Sequence, residues 1–217
     1  MPISGCYCED FLKKKCFISP CGGLTNRLNR FTICPMRYSK TAYMALCGLF
    51  AALTAVCSYI SIPLGFTPVP VNLATLAVFL AGGLLGKKYG TISLAVYTLL
   101  GAAGVPVFAG FRGGFSVLAG PTGGYIIGYI LAAFLIGLIL DHTLNRASSP
   151  ATEYLYCIIA MIVGLAACYF LGTLWFIIST GTGIWAALVA CVFPFLPGDA
   201  LKIAAASILI RKLRTVL

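Results

Sequence analysis

Residues 122–140 read TGGYIIGYILAAFLIGLIL, from Thr122 to Leu140, nineteen residues without a charge. A helix needs about 20 such residues to cross the hydrocarbon of a bilayer. Only helices and closed barrels satisfy their backbone polar groups there, so a continuous apolar run of this length reads as a spanning helix. The chain around it has the same character. Of 217 residues, 60% are hydrophobic and 9% charged, where soluble domains carry about 25% charged residues. The fold class expected is an all-α integral membrane protein.

Working outward, the apolar runs are 41–62, 71–86, 89–104, 122–140, 153–178 and 198–213, which predicts a six-transmembrane-helix bundle over 36–217. A Pro/Gly-rich link at 63–70 separates the first two, because proline removes a donor and clashes inside a helix. Lys87-Lys88 ends the second. Residues 183–193 are apolar but short, and read as a re-entrant or cavity-lining helix before helix six. Arg37, Lys40, Lys87, Lys88, Arg146, Arg211, Lys212 and Arg214 then fall on one side, which the positive-inside rule makes cytoplasmic together with both termini. The expected location is the cell membrane, multi-pass, with the bilayer itself as a partner. The formal charge of +10 follows this topology. No polar face gathers the cations as a nucleic-acid surface requires.

Two cations break the pattern. Arg112 and Lys202 come out near the opposite, outer face, and Asp199 lies one turn from Lys202. Ionisable groups in spanning segments are costly and mark functional sites by default. Asp199 and Lys202, at i and i+3, share a helix face. They read either as a helix cap with a neutral internal pair or as a pair that orients a polar ligand. Arg112, between glycines, either snorkels to water or offers its planar fork to a carboxylate or phosphate. The outer links are rich in Gly, Pro and aromatics: 65–68, 108–115 and 193–198. Irregular backbone at membrane depth is tolerated where it lines a cavity, and ligand pockets combine apolar walls with few polar groups. An outward-opening pocket with a cationic component is expected. Asn72, Thr122 and Tyr125 begin segments on that same side, Asn72 equally suited to capping.

Other chemistry is excluded by residue type. The Gly82–Lys88 stretch has the wrong glycine spacing for a phosphate loop and no Ser or Thr after its Lys, so active transport would draw energy from a partner or an ion gradient. His142 stands alone at the cytoplasmic end, and residues 41–217 hold three acids, which leaves little for acid–base catalysis. No cofactor is expected. Five cysteines (6, 8, 16, 21 and 34) precede the first span, with spacings that match no standard zinc site, so no metal is expected; Cys47, Cys57, Cys157, Cys168 and Cys191 read as small buried hydrophobes. Residues 1–35 form a polar, basic N-terminal extension, and one hypothesis starts the native chain at Met36. Segment one carries Ala45, Gly48, Ala51, Ala52 and Ala55, with Ala51 and Ala55 at the centre of the row. Such rows let another helix approach closely, either within the bundle or from a partner subunit.

Thr67-Pro68-Val69-Pro70-Val71-Asn72, Gly104-Val105-Pro106-Val107-Phe108-Ala109-Gly110, Gly113-Gly114, Gly120-Pro121-Thr122-Gly123-Gly124-Tyr125 and Pro194-Phe195-Leu196-Pro197-Gly198-Asp199 with Lys202 occur in this order. Together they resemble the BioY family, the biotin-binding S components of energy-coupling factor (ECF) vitamin transporters, from about Met36 to the C-terminus. The resemblance implies the ECF S-component fold, biotin uptake rather than catalysis, and a biotin site drawn from Asp199, Lys202, Arg112, Asn72, Tyr125, Thr122, Gly113 and Gly114. It also implies partners: a transmembrane coupling protein and two ATPase subunits that hydrolyse the ATP, docked on Gly48, Ala51 and Ala55. Binding another small vitamin, or a membrane acyltransferase built on the Gly-rich loops, are the competing readings.

Overall fold

The computed structural model describes residues 40–62, 65, 69–143 and 150–216. The N-terminal extension, the early cysteines, most of the 63–70 link and the 144–149 link therefore lie outside the described residues. Seven helices follow in order: α1 (Lys40–Tyr59), α2 (Ala74–Ala102), α3 (Phe115–Ala119), α4 (Gly123–Thr143), α5 (Pro150–Thr180), α6 (Ile184–Cys191) and α7 (Leu196–Val216). Two short strands, β1 (Ser61–Ile62) and β2 (Val71–Asn72), pair antiparallel with Ser61 opposite Asn72.

Helix α2 is a hairpin rather than one long rod. Gly86 takes φ +73°, ψ −177°, outside helical space, in the half of φ that glycine enters without steric cost. A Cβ on Gly90 would lie 2.8 Å from the Ala81 carbonyl oxygen, although nine residues of straight helix span about 13 Å. The two arms, residues 74–85 and 87–102, therefore run back to back. The sequence expected two segments parted at Lys87-Lys88, and the turn falls there. The reversal rests on Gly137 of α4, whose Cβ would meet the Lys87 nitrogen at 2.2 Å.

By length and composition, three helices (α1, α4 and α5) suffice to cross a bilayer, and a fourth span arises if α6 and α7, bent by 49° at their junction, count as one. Six long antiparallel runs are present among the described residues (α1, the two arms of α2, α4, α5 and α7), as many as the spans expected, but the arms of α2 fall short of that length test and α7 meets it only together with α6, so the count of six is not confirmed. The core lies where α2 and α4 meet, around Phe79, Leu94, Tyr97, Ala133, Ile136 and Leu140. Close approach is set by glycine: Gly82 faces the Ala133 backbone, Gly124 faces Trp175, and Gly128 faces Cys168, as the small-residue row opening segment four suggested.

One expectation about α1 is overturned. Ala51 and Ala55 are buried, and with Cys47, Phe50, Thr54 and Ser58 they form the face that packs inside the bundle. Ser93 donates to the Cys47 carbonyl at 2.8 Å across this seam. Ala51 and Ala55 are thus internal packing positions and offer no surface to a partner. Gly48, with Ala45 and Ala52, lies on the exposed face.

Candidate functional site

Residues of the 108–115 and 193–198 links, with Val69 and Pro70, meet at one end of the bundle around a cavity of about 260 Å³, near the lower end of ligand pockets, which start at roughly 300 Å³. Lys87, Lys88 and Arg214 lie at the other end. Asp199, Lys202, Arg112, Asn72, Thr122 and Tyr125 all line this cavity. The expected glycines Gly113 and Gly114 do not. Gly113 lies so tightly on the Val105 carbonyl that a Cβ would come within 2.5 Å of its oxygen, and Gly114 donates to the Gly101 carbonyl at 2.7 Å. They fasten the loop, while Ala109 and Gly110 reach the cavity.

The charged pair sits at the start of α7. The helix begins at Leu196, so Pro197 occupies its first turn, where a missing N–H costs nothing. The Asp199 carboxylate caps no free N–H of its own helix. It turns inward, accepting from Lys202 Nζ at 2.8 Å and Thr75 Oγ1 at 3.1 Å on one oxygen and from the Tyr169 hydroxyl on the other. Lys202 Nζ donates to the Asn72 carbonyl at 2.6 Å, to Thr75 Oγ1 at 3.0 Å and to Asp199. An ammonium has three donors, and all three are spent on protein. The side chains are 13% and 3% exposed, so the pair is shielded from water, a condition under which ion pairs survive only when fully hydrogen-bonded. The Asn72 side-chain oxygen accepts from the Ala74 N–H at 3.2 Å, so Asn72, one residue before the N-cap position Leu73, both satisfies an N–H at the start of α2 and walls the cavity.

Arg112 differs. It is carried by the 103–114 loop, is exposed at the cavity rim, and its guanidinium has no hydrogen-bond or ion-pair partner among the described residues. The loop is held firmly beneath it. The Phe108 N–H donates to the Arg112 carbonyl at 2.9 Å. The Phe108 ring fills the space left by Gly101 and meets Tyr97 edge-on at 5.6 Å. Tyr59, at the end of α1, donates to the Pro106 carbonyl at 2.6 Å and stacks on Phe111 at 4.3 Å.

The apolar walls are Val69, Phe108, Ile126, Leu165 and Phe195, with the phenols of Tyr97, Tyr125, Tyr129 and Tyr169 among them. Tyr125 shares a hydrogen bond with Thr173 at 3.3 Å. No residue of α6 lines the cavity; Phe195, just beyond it, does. The expected cavity-lining role of the short helix therefore passes to the bend that follows. Among the cavity residues that sequence reasoning missed, Thr75 and Tyr169 are the two that hold the charged pair; Tyr97, Tyr129 and Leu165 also went unmarked. Thr75 was within reach, because it follows Asn72 by one turn and is the other polar side chain of an otherwise apolar run. Tyr169 lies inside α5 with no charge or break to mark it.

The sequence profile of the BioY family matches residues 29–217. The chain belongs to the BioY family. The match begins seven residues before the boundary expected at Met36, so the extension is not wholly foreign to the BioY pattern. The chain is 41% identical over 168 residues to the "Biotin transporter BioY" of Thermotoga maritima, covering 77% of this chain and 92% of that one. It is 38% identical over 175 residues to the "Probable biotin transporter BioY" of Pyrococcus horikoshii, covering 81% and 98%. A crystal structure described as the S-component for biotin from an ECF-type ABC transporter superposes with a TM-score of 0.75 at 31% identity, covering 81% of this chain and 92% of that one. The fold is thus the S-component fold of a multi-pass membrane protein. These BioY relatives are named as transporters, not as enzymes.

Proposed function

We propose that this chain captures biotin from outside the cell membrane and delivers it inward as the substrate-binding subunit of an ECF transporter. The observation that carries the reading is the buried Asp199–Lys202–Thr75–Tyr169 network on the wall of a small cavity, in a chain of the BioY family. Biotin combines a polar ureido ring, an apolar sulfur-containing ring and a flexible acid tail. The network leaves acceptor lone pairs on Asp199 for the ureido N–H groups, and the Asn72 and Tyr129 side chains, which face each other, supply the donors for the ureido end. Phe108, Leu165 and Phe195 suit the apolar ring. The carboxylate belongs at Arg112, because Lys202 has no donor left for it and Arg112 has its whole fork free.

Both ends of the described chain lie at the end of the bundle that carries Lys87 and Lys88: Tyr43 of α1 stacks on Tyr89 at 4.3 Å, and Arg214 of α7 reaches Gly83. By the positive-inside rule that end is cytoplasmic and the cavity opens outward. The exposed row Ala45, Gly48 and Ala52 of α1 is the surface for a transmembrane coupling protein, which in turn carries two ATPase subunits. No cofactor is assigned to the chain itself. Calorimetric titration of the detergent-purified protein with biotin is the test. Saturable binding below micromolar concentration is expected, and no binding in that range refutes the reading.

A further inference from the structure

The polar network at the cavity has a counterpart at the far end of the same two helices. Arg214, three turns after Lys202 on α7, donates Nε to the Gly83 carbonyl at 3.1 Å and adds a second bond from Nη2. Gly83 lies in the last turn of the first arm of α2, where carbonyls have no partner within the helix, and where a cation also suits the helix dipole. Ile210, fully buried one turn before Arg214, sits in the hollow of the same glycine: a Cβ on Gly83 would come within 2.3 Å of its Cδ1. Lys202, Ala206, Ile210 and Arg214 follow one another at steps of four along α7, and Ala206 and Ile210 are fully buried. One face of α7 is therefore fastened to the first arm of α2 at both ends. Lys202 and Asp199 grip Asn72 and Thr75 at the cavity, and Arg214 grips Gly83 about 18 Å away, at 1.5 Å of rise per residue.

We infer that Arg214 is a positioning residue for the ligand site, fixing the register of α7 against α2 so that Lys202 meets its three acceptors. Between the two grips the helices share apolar packing and small side chains, so the directional bonds on this helix pair are concentrated at its two ends. Lys202 Nζ must reach three acceptors at 2.6–3.0 Å at once. A slide of about 1 Å takes such bonds beyond hydrogen-bonding distance. Two grips on one helix pair hold that register, whereas the cavity grip alone allows α7 to pivot.

The inference rests on the cavity being the ligand site, and its test has one arm independent of that reading. Hydrogen exchange is measured on the ligand-free, full-length protein and on Arg214→Ala. Exchange in the segments 71–76 and 196–203 should rise at least tenfold in the variant, with segment 123–130, at the same end but not on this helix pair, within twofold of wild type. Exchange unchanged at 71–76 and 196–203, or raised equally everywhere, overturns the inference. Arg214→Gln replaces it if the alanine variant does not fold, and Arg214→Lys, which keeps one donor, should fall between variant and wild type. In the second arm, biotin affinity should drop at least tenfold in Arg214→Ala, and unchanged affinity also overturns the inference. A wild-type protein that fails to bind biotin defeats the functional reading instead and leaves the exchange result to decide this one.

Discussion

Arg112 and Lys202 are the two cations of the cavity, and their surroundings give them opposite tasks. Lys202 is consumed by the fold and Arg112 is left for the ligand. Arg112→Gln should therefore weaken biotin binding roughly tenfold or more, the factor carried by about 1.4 kcal/mol, while barely changing the affinity for an uncharged biotin amide. Titration of both ligands against both proteins checks this; an equal loss for the two would place the carboxylate elsewhere. Lys202→Met should behave differently, because it strands a buried carboxylate. Removing one partner of a buried pair costs about 3–5 kcal/mol, so the variant should unfold at markedly lower temperature, and Asp199→Asn added to it should restore much of the loss without restoring binding. Thermal unfolding of the single and double variants reads this directly. Asp199 and Lys202 were legible in the sequence because charge in an apolar helix is conspicuous. Asn72 was legible too and Thr75 lay within reach, but the partner on α5 was not. Tyr169 looks like any aromatic of a spanning helix until the fold brings it to Asp199, and no spacing rule relates positions 75, 169 and 199.

The decisive element is the α2 hairpin, since it carries Asn72 and Thr75 to the cavity and Gly83 to Arg214. Its turn is braced by α4: the Lys87 N–H donates to an Asp141 carboxylate oxygen at 3.3 Å, which supplies a negative group to the start of the second arm. Gly137 lets the turn approach so closely that a methyl group there would collide with backbone rather than with a side chain that can swing away. Gly137→Ala should accordingly be among the most destabilising small substitutions, whereas Gly48→Ala, with nothing within 4 Å of its added Cβ and a better helix former in place of glycine, should leave the unfolding temperature unchanged or raise it. That contrast is measurable on two single variants. The sequence marked the turn through Lys87-Lys88, because a basic pair ends an apolar run. It was silent on the back-to-back packing of the arms, which depends on Gly90 meeting Ala81 and on a glycine fifty residues away.

At the scale of the whole molecule, the two faces of α1 divide the work. Residues 47, 51, 54, 55 and 58 turn inward, and Ala45, Gly48 and Ala52 turn outward beside exposed Met44, Leu49 and Val56. Residues 48 and 51 are only about 60° apart at 100° per residue, and the edge of the buried stripe falls between them, Gly48 exposed and Ala51 buried, which the bare row of alanines in the sequence did not reveal. The inward face is already packed against the bundle, so the outward one is the face of α1 left for the coupling subunit proposed above. Small residues there permit close helix contact, and a large side chain holds the partner off. Ala45→Leu with Gly48→Leu should therefore abolish biotin uptake in cells that contain the coupling subunits, while the purified variant binds biotin with wild-type affinity and unfolds at the wild-type temperature. Ala51→Leu should do the reverse in origin: it overfills a buried position, typically at about 1–3 kcal/mol, so uptake falls because the protein itself is destabilised. Paired uptake and unfolding measurements separate the two. Retained uptake in the Ala45→Leu, Gly48→Leu variant would mean that the partner approaches by another helix.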